Sequence, residues 1–310
     1  MRHFYLFAFL CLWISSPSSL FSQHLNRQNN YGGSESELFN AMLKTSDGGY
    51  IMAGYSASAD HDVISGNHGD DDAWVVKLNS SGGIEWENHY GGSNTDRIND
   101  IQPTRDGGYI LAGYSNSSDV DVSGNYGYLD WWIVKIDESG NLMWEQNYGS
   151  STNDNCLAVR QTSDGGYLAA GLSGSGDHDV ASGNYGLTDA WVVKLNSSGT
   201  IDWEEHFGGS EHDAITSVQI TPEGKYLAAG YTSSSDYDVS DHYGASDYWM
   251  IQLDETGSLE WEKTYGGSDM DRLYDLQPTS DGGYIAIGYS FSVNGDVYDT
   301  YGGGDYWVVK

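Results

Sequence analysis

A unit of 58 or 59 residues repeats five times along this chain, and no other feature restricts its possible folds as much. Tyr-Gly-Gly, with small variations, opens the copies at Tyr31, Tyr90, Tyr148, Phe207 and Tyr265. Other columns keep the same step. One tryptophan column is Trp74, Trp132, Trp191, Trp249 and Trp307; a second is Trp86, Trp144, Trp203 and Trp261. Asp-Gly-Gly-Tyr begins at Asp47, Asp106, Asp164 and Asp281, and Glu223-Gly-Lys-Tyr replaces it in the fourth copy.

Within the second copy, four segments read as strands: 97–104, 108–114, 131–136 and 141–147. Asp106-Gly107 and Ser139-Gly140 between them are hairpin-turn pairs, since glycine accepts the positive φ that such turns demand. Gly, Ser, Tyr, Trp and Val dominate where a helical protein would carry Ala, Leu and Lys, so the fold class is all-β. A four-stranded antiparallel meander cannot bury both of its faces alone. Equivalent sheets must therefore pack face to face, and the radial solution is a five-bladed β-propeller with tryptophans filling the space between blades.

The termini suggest how such a ring would close. The last copy stops after its third strand, at Trp307-Val308-Val309-Lys310, while Leu25 to Asn30 aligns with the fourth-strand segment Ile84 to His89. Residues 23–30 are therefore expected to complete the last blade, removing an open sheet edge. Residues 1–22 read as a secretory signal: a basic start, an apolar run from Phe4 to Ile14 too short to span a bilayer, and a small polar stretch to Ser22. The domain is then 23–310, secreted or at the cell surface, without membrane insertion. Cys156 would be its only cysteine, in the register of Ile98 and Ile215, which suits a buried apolar position and leaves no intrachain disulfide.

Phrases such as Asp-Gly-Gly-Tyr-Ile-Leu-Ala-Gly-Tyr-Ser from Asp106 and Trp-Val-Val-Lys-Leu-Asn-Ser-Ser-Gly from Trp191 resemble the tandem repeats of secreted bacterial β-propeller proteins, the SBBP-like repeat family. The resemblance covers residues 31–310. It implies architecture and export rather than an activity.

With 45 acidic against 13 basic residues, nucleic acid and anionic membranes are excluded as partners, because both need clustered Lys or Arg. In a propeller meander the loop between strands two and three and the loop to the next blade emerge on one face. Those loops hold 26 of the 45 acids and no Lys or Arg, so that face is expected to be a negative disc. One loop, Asp119, Asp121, Ser123, Gly124 and Asp130, resembles a calcium loop at positions 1, 3, 5, 6 and 12, although strands replace the helices that flank an EF-hand. Relaxed versions are Asp177, Asp179 and Asp189; Asp236, Asp238 and Asp247; Asp60, Asp62 and Asp72; and Asn294, Asp296 and Asp305. Side-chain-to-backbone turns are the competing role for these residues. Within the same loops recur His68, Tyr126, Tyr185, Tyr243 and Tyr301; the four tyrosines are candidate sugar-stacking platforms.

These features favour a secreted or cell-surface binding or adhesion module for a glycan or an extracellular protein, with Ca2+ as its possible cofactor. The alternative is a purely structural propeller segment of a longer exported protein. A glycoside hydrolase using Asp96, Asp154 and Asp213 around a central mouth is disfavoured, because such chemistry needs two carboxyls in unlike environments and the repeats are near-equivalent. No histidine column accompanies a serine or cysteine column, and the Gly-rich motifs lie in turns rather than at helix starts.

Overall fold

The structure, a computed structural model, describes residues 28–298 and 301–310. The signal segment 1–22 and most of the expected closing strand 23–30 lie outside the described residues; 28–30 carry no strand. From Tyr31 onward the chain forms a compact unit of five antiparallel sheets and no helix among the described residues. The first sheet is β1 (Glu37–Lys44), β2 (Tyr50–Ser56), β3 (Asp72–Leu78) and β4 (Ile84–Tyr90), and the second β5 (Asp96–Pro103), β6 (Tyr109–Ser115), β7 (Asp130–Ile136) and β8 (Leu142–Tyr148). The third is β9 (Asp154–Gln161), β10 (Tyr167–Ser173), β11 (Asp189–Leu195) and β12 (Ile201–Phe207). The fourth is β13 (Asp213–Ile220), β14 (Tyr226–Thr232), β15 (Asp247–Leu253) and β16 (Leu259–Tyr265). The fifth has three described strands, β17 (Asp271–Pro278), β18 (Tyr284–Ser290) and β19 (Asp305–Val309). Each sheet is a simple meander in sequence order, as the repeat requires.

The turn chemistry is the expected one. Gly107 and Gly140 adopt φ of 90° and 83°, and Asp106 Oδ1 accepts a hydrogen bond from the Gly108 amide at 3.1 Å, which closes the hairpin. On this side of the ring Lys77, Lys135 and Lys194 reach back to Asp47, Asp106 and Asp164 at 2.7, 3.1 and 2.9 Å.

Four apolar clusters fill the interfaces between consecutive sheets. Between sheets one and two, Ile51, Ala53 and Val75 meet Ile98, Ile101 and Trp132, and the same pattern recurs at the next three interfaces. Trp132, Trp191, Trp249 and Trp307 therefore fill the inter-blade space as expected, while Trp74 is buried against Tyr31, Phe39 and Met52. Indole N–H groups cannot be left unpaired in such a core. Trp132, Trp191 and Trp249 each donate to a glutamate thirteen residues on: Glu145 (3.0 Å), Glu204 (2.8 Å) and Glu262 (3.2 Å). Glu204 also accepts from the Ser182 amide (2.8 Å) and hydroxyl (2.7 Å), so one carboxylate ties core, outer strand and loop together. Replacing Glu204 by Ala leaves the buried Trp191 N–H without a partner, with an expected cost of about 1–3 kcal/mol in urea unfolding, while Glu204→Gln costs less. An unchanged denaturation midpoint for the alanine variant would show that the indole bond contributes nothing.

Around the channel, each first strand carries a bulge at Asn40, Asn99, Leu157, Thr216 or Tyr274. Asn40 Nδ2 donates to the Ile98 carbonyl at 2.8 Å, Asn99 Nδ2 to the Cys156 carbonyl at 2.8 Å and Thr216 Oγ1 to the Leu273 carbonyl at 2.9 Å. The innermost strands of blades one and two, two and three, and four and five are thus stitched side chain to main chain, whereas the bulge of β9 carries Leu157, which has no side-chain donor. Cys156 itself is fully buried, and burial pushes its thiol well above the usual range. That makes it an inert packing residue, as its register implies.

Candidate functional site: the acidic loop face

Every inter-blade loop is pinned by the loop of the following blade. At the second blade the Gly91 and Ser93 amides donate to Asp121 (3.4 Å) and Asp119 (2.8 Å), and the Asn94 amide donates to Ser117 (3.0 Å). The third blade repeats this with Asp179 (3.3 Å) and Asp177 (2.8 Å), the fourth with Asp238 (3.3 Å) and Asp236 (2.8 Å). The first two acids of each proposed calcium loop are therefore engaged in capping backbone N–H groups.

The third acid turns to the other side. Asp130 Oδ2 accepts from the Tyr126 amide at 2.5 Å, while its Oδ1 is buried without a partner and lies near Gly149, opposite Asp154. Asp189 and Asp247 behave alike, accepting from the Tyr185 amide (2.5 Å) and the Tyr243 amide (2.7 Å), each with an unpartnered Oδ1. The structure thus divides each loop triad between two junctions: Asp119 and Asp121 serve the junction between blades one and two, and Asp130 the next. Ser123 is exposed. Among the described residues no group of three or more His, Cys, Asp and Glu side chains is placed to hold a metal ion.

Burial has an electrostatic consequence. Asp72 and Asp189 are pushed up to about 7, and Asp130 and Asp247 to about 6, chiefly by desolvation and further by the carboxyls of Asp96, Asp213, Asp154 and Asp271 respectively. These eight residues are all buried, which corrects the expectation of a uniformly charged disc. What solvent meets is a smaller set, including Asp60, Asp70, Asp119, Asp177, Asp236 and Asp241.

Asp96, Asp154 and Asp213 do not line the central mouth either. They sit at the starts of β5, β9 and β13, sealed by Ser, Thr and backbone donors: Asp96 accepts from the Gly92 amide (2.7 Å) and the Ser117 hydroxyl (2.9 Å). The channel instead presents the side chains of Asn40, Asn99, Asp100, Arg160, Ser217 and Asp275, with Arg160 bound to Asp100 at 2.6 Å.

The loop aromatics are only partly free. Tyr126 stacks on His178 of the next blade (centroids 4.8 Å apart), and Tyr185 stacks on Tyr237 (4.4 Å) while touching His206. Both stacking partners hold positive φ, 53° at His178 and 55° at Tyr237, and this aims their rings back at the preceding loop. Tyr126 and Tyr185 thus clasp adjacent blades with one ring face. Tyr243 and Tyr301 are exposed. Sequence reasoning missed these cross-blade clasps because their partners come from a different column. It also missed the Trp–Glu pairs, although their constant spacing of thirteen was visible.

Five radially arranged sheets around one channel, with long loops gathered on one face, define a five-bladed β-propeller. No family model matches the chain, and no curated protein matches it. Matches among solved structures include the Neurospora crassa Pan2 WD40 domain, at 12% identity and TM-score 0.38, covering 80% of this chain and 85% of that one. Another is Sqt1 from Chaetomium thermophilum, at 12% identity and TM-score 0.32, covering 82% of this chain and 79% of that one.

Proposed function

We propose that this chain is a secreted or cell-surface binding module that takes a glycan or a protein ligand on its loop face. The observation that carries the reading is chemical: exposed carboxylates and exposed tyrosine rings alternate around a face whose loops contain no Lys or Arg. A ring face offers apolar contact to a sugar and the neighbouring carboxylates accept its hydroxyls. Near-equivalent positions from blade to blade let weak contacts add through effective concentration. Calcium belongs to this proposal as a bridge between exposed loop carboxylates and ligand hydroxyls.

A glycan array run with calcium and again with chelator tests the proposal, alongside a panel of basic and neutral proteins. The double variant Tyr243→Ala, Tyr301→Ala removes two exposed rings that do not support the core, so its melting temperature is expected to stay unchanged while binding falls about tenfold or more. Calcium raising the melting temperature with no glycan or protein bound would replace this reading with a structural one.

A further inference from the structure

The first and fourth blade junctions share a frame and differ in one charge. At the first, Arg97, the second residue of β5, lays its guanidinium over the ring of Tyr55 in β2, 4.0 Å from the centroid. Asp71 binds it through Nε at 3.1 Å and through Nη2. Asp71 is placed for this by a short parallel bridge to Thr95, just before β3 and β5 begin. The fourth junction repeats the frame: Ser246 bridges to Met270, and Arg272, the second residue of β17, lies over Tyr231 of β14 at 4.3 Å. Ser246 thus stands where the first junction has its carboxylate. Its hydroxyl is buried without a partner, and so is Arg272 Nε. Among the described residues no carboxylate pairs with Arg272. At the second and third junctions cation and acid are absent together: Asn155 and Ala214 fill the arginine column, and Leu129 and Thr188 fill the acid column. Arg272 alone keeps the cation of this frame without its acid.

We propose that the fourth junction takes its missing carboxylate from a ligand: Arg272 and Ser246 bind the carboxyl group of a sugar acid. This deepens the glycan reading of the loop face and rests on it. The first junction sets the ligand's chemistry, because there the same cradle is filled by a carboxylate of the chain itself. A guanidinium meets a planar carboxylate through two N–H groups, and the Ser246 hydroxyl is a further donor. Arg272 is half-buried, so the ligand reaches it from solvent while the pair stays partly shielded from water. The sugar ring has a platform in the same loop: Tyr243, three residues before Ser246, is 54% exposed. Charge narrows the class further. The chain carries −32 overall, and that field repels polyanions, so the site suits a glycan with isolated uronic acid residues rather than a continuous polyuronate.

Calorimetry in the presence of chelator compares an oligosaccharide carrying one glucuronic acid with its carboxyl-reduced, neutral counterpart. The acidic sugar is expected to bind at one site per chain, about tenfold or more tighter than the neutral one. Ser246→Asp restores at the fourth junction the acid of the first. It should leave the melting temperature unchanged or raised and abolish the preference for the acidic sugar. Arg272→Gln, at a half-buried position, tests the same point independently and should abolish it too. The reverse exchange, Asp71→Ser, frees Arg97 and should add a second site with the same preference. Equal binding of the two sugars, indifferent to Ser246→Asp and Arg272→Gln, overturns the proposal and leaves the glycan reading standing. Absence of binding by the acidic sugar also overturns it, and neutral hits on the glycan array would then show the broader reading surviving alone.

Discussion

Gly171→Ala is expected to abolish folding or to cost at least about 3 kcal/mol, the range of severe overpacking against backbone. A Cβ at this position would lie 2.0 Å from the carbonyl oxygen of Asn155, a main-chain atom on the neighbouring strand with no freedom to yield. The approach is that close because β9 bulges at Leu157, directly beside Gly171. Gly113 and Gly230 occupy the same place in their sheets, at 1.9 and 2.0 Å from the carbonyls of Arg97 and Ala214, so their alanine variants should behave alike. Gly124→Ala provides the control. It sits in a loop with nothing within 4 Å, and its change should stay within about 0.5 kcal/mol. Urea unfolding of the variants decides the matter, and a well-folded Gly171→Ala protein of near-native stability would mean that the bulge and its glycine are not coupled.

The second large effect is in pH. Asp72, Asp130, Asp189 and Asp247 titrate at about 6 to 7 in the folded chain, against about 3.9 for an unfolded aspartate. Each therefore binds its proton more tightly when folded. The cost of ionising them is fully felt above pH 7 and is relieved as pH falls from there toward about 4. Stability is expected to rise on acidification across that window, with a melting temperature at pH 5 at least ~5 °C above that at pH 8. Below pH 4 the direction reverses. Asp47 and Asp164 are held below the ordinary carboxylate range chiefly by hydrogen bonds to Lys77 and Thr162, and Asp281 at about 2 chiefly by Lys310, so protonating them removes favourable pairs. Asp130→Asn replaces one ionising group by an amide that can still accept the Tyr126 N–H. It should raise the melting temperature at pH 8 and flatten the profile, and a profile flat from pH 8 to 5 in the parent protein would contradict the assignment.

Much of the architecture was legible because the period, the Asp-Gly turns and the tryptophan column are local signals repeated in register. Strand limits agreed to within a residue or two in the second copy: 131–136 was expected and β7 runs Asp130–Ile136. The bulges were not read, although each was signalled by a lone glycine inside an apolar strand, as in Leu111-Ala112-Gly113-Tyr114. The site was harder. That Asp119, Asp121 and Asp130 recur together suggested one cage, whereas the fold sends the first two to Gly91 and Ser93 and the third toward Asp154. Spacing in sequence carries no information about which of two neighbouring blades a loop residue faces. The same limit applies to Tyr126 and Tyr185, whose stacking partners belong to the next repeat. Closure by residues 23–30 was an inference from alignment, and most of that segment lies outside the described residues.

The stitches around the channel have a bearing on which substitutions they tolerate. Asn40 and Thr216 read a main-chain carbonyl of the adjacent strand, a group that every amino acid offers, whereas Asn99 also donates to the side-chain oxygen of Asn155 at 2.7 Å. Two of these joints therefore ask of the neighbouring strand only a backbone in the right place, so substitutions along β5 and β17 leave them chemically intact.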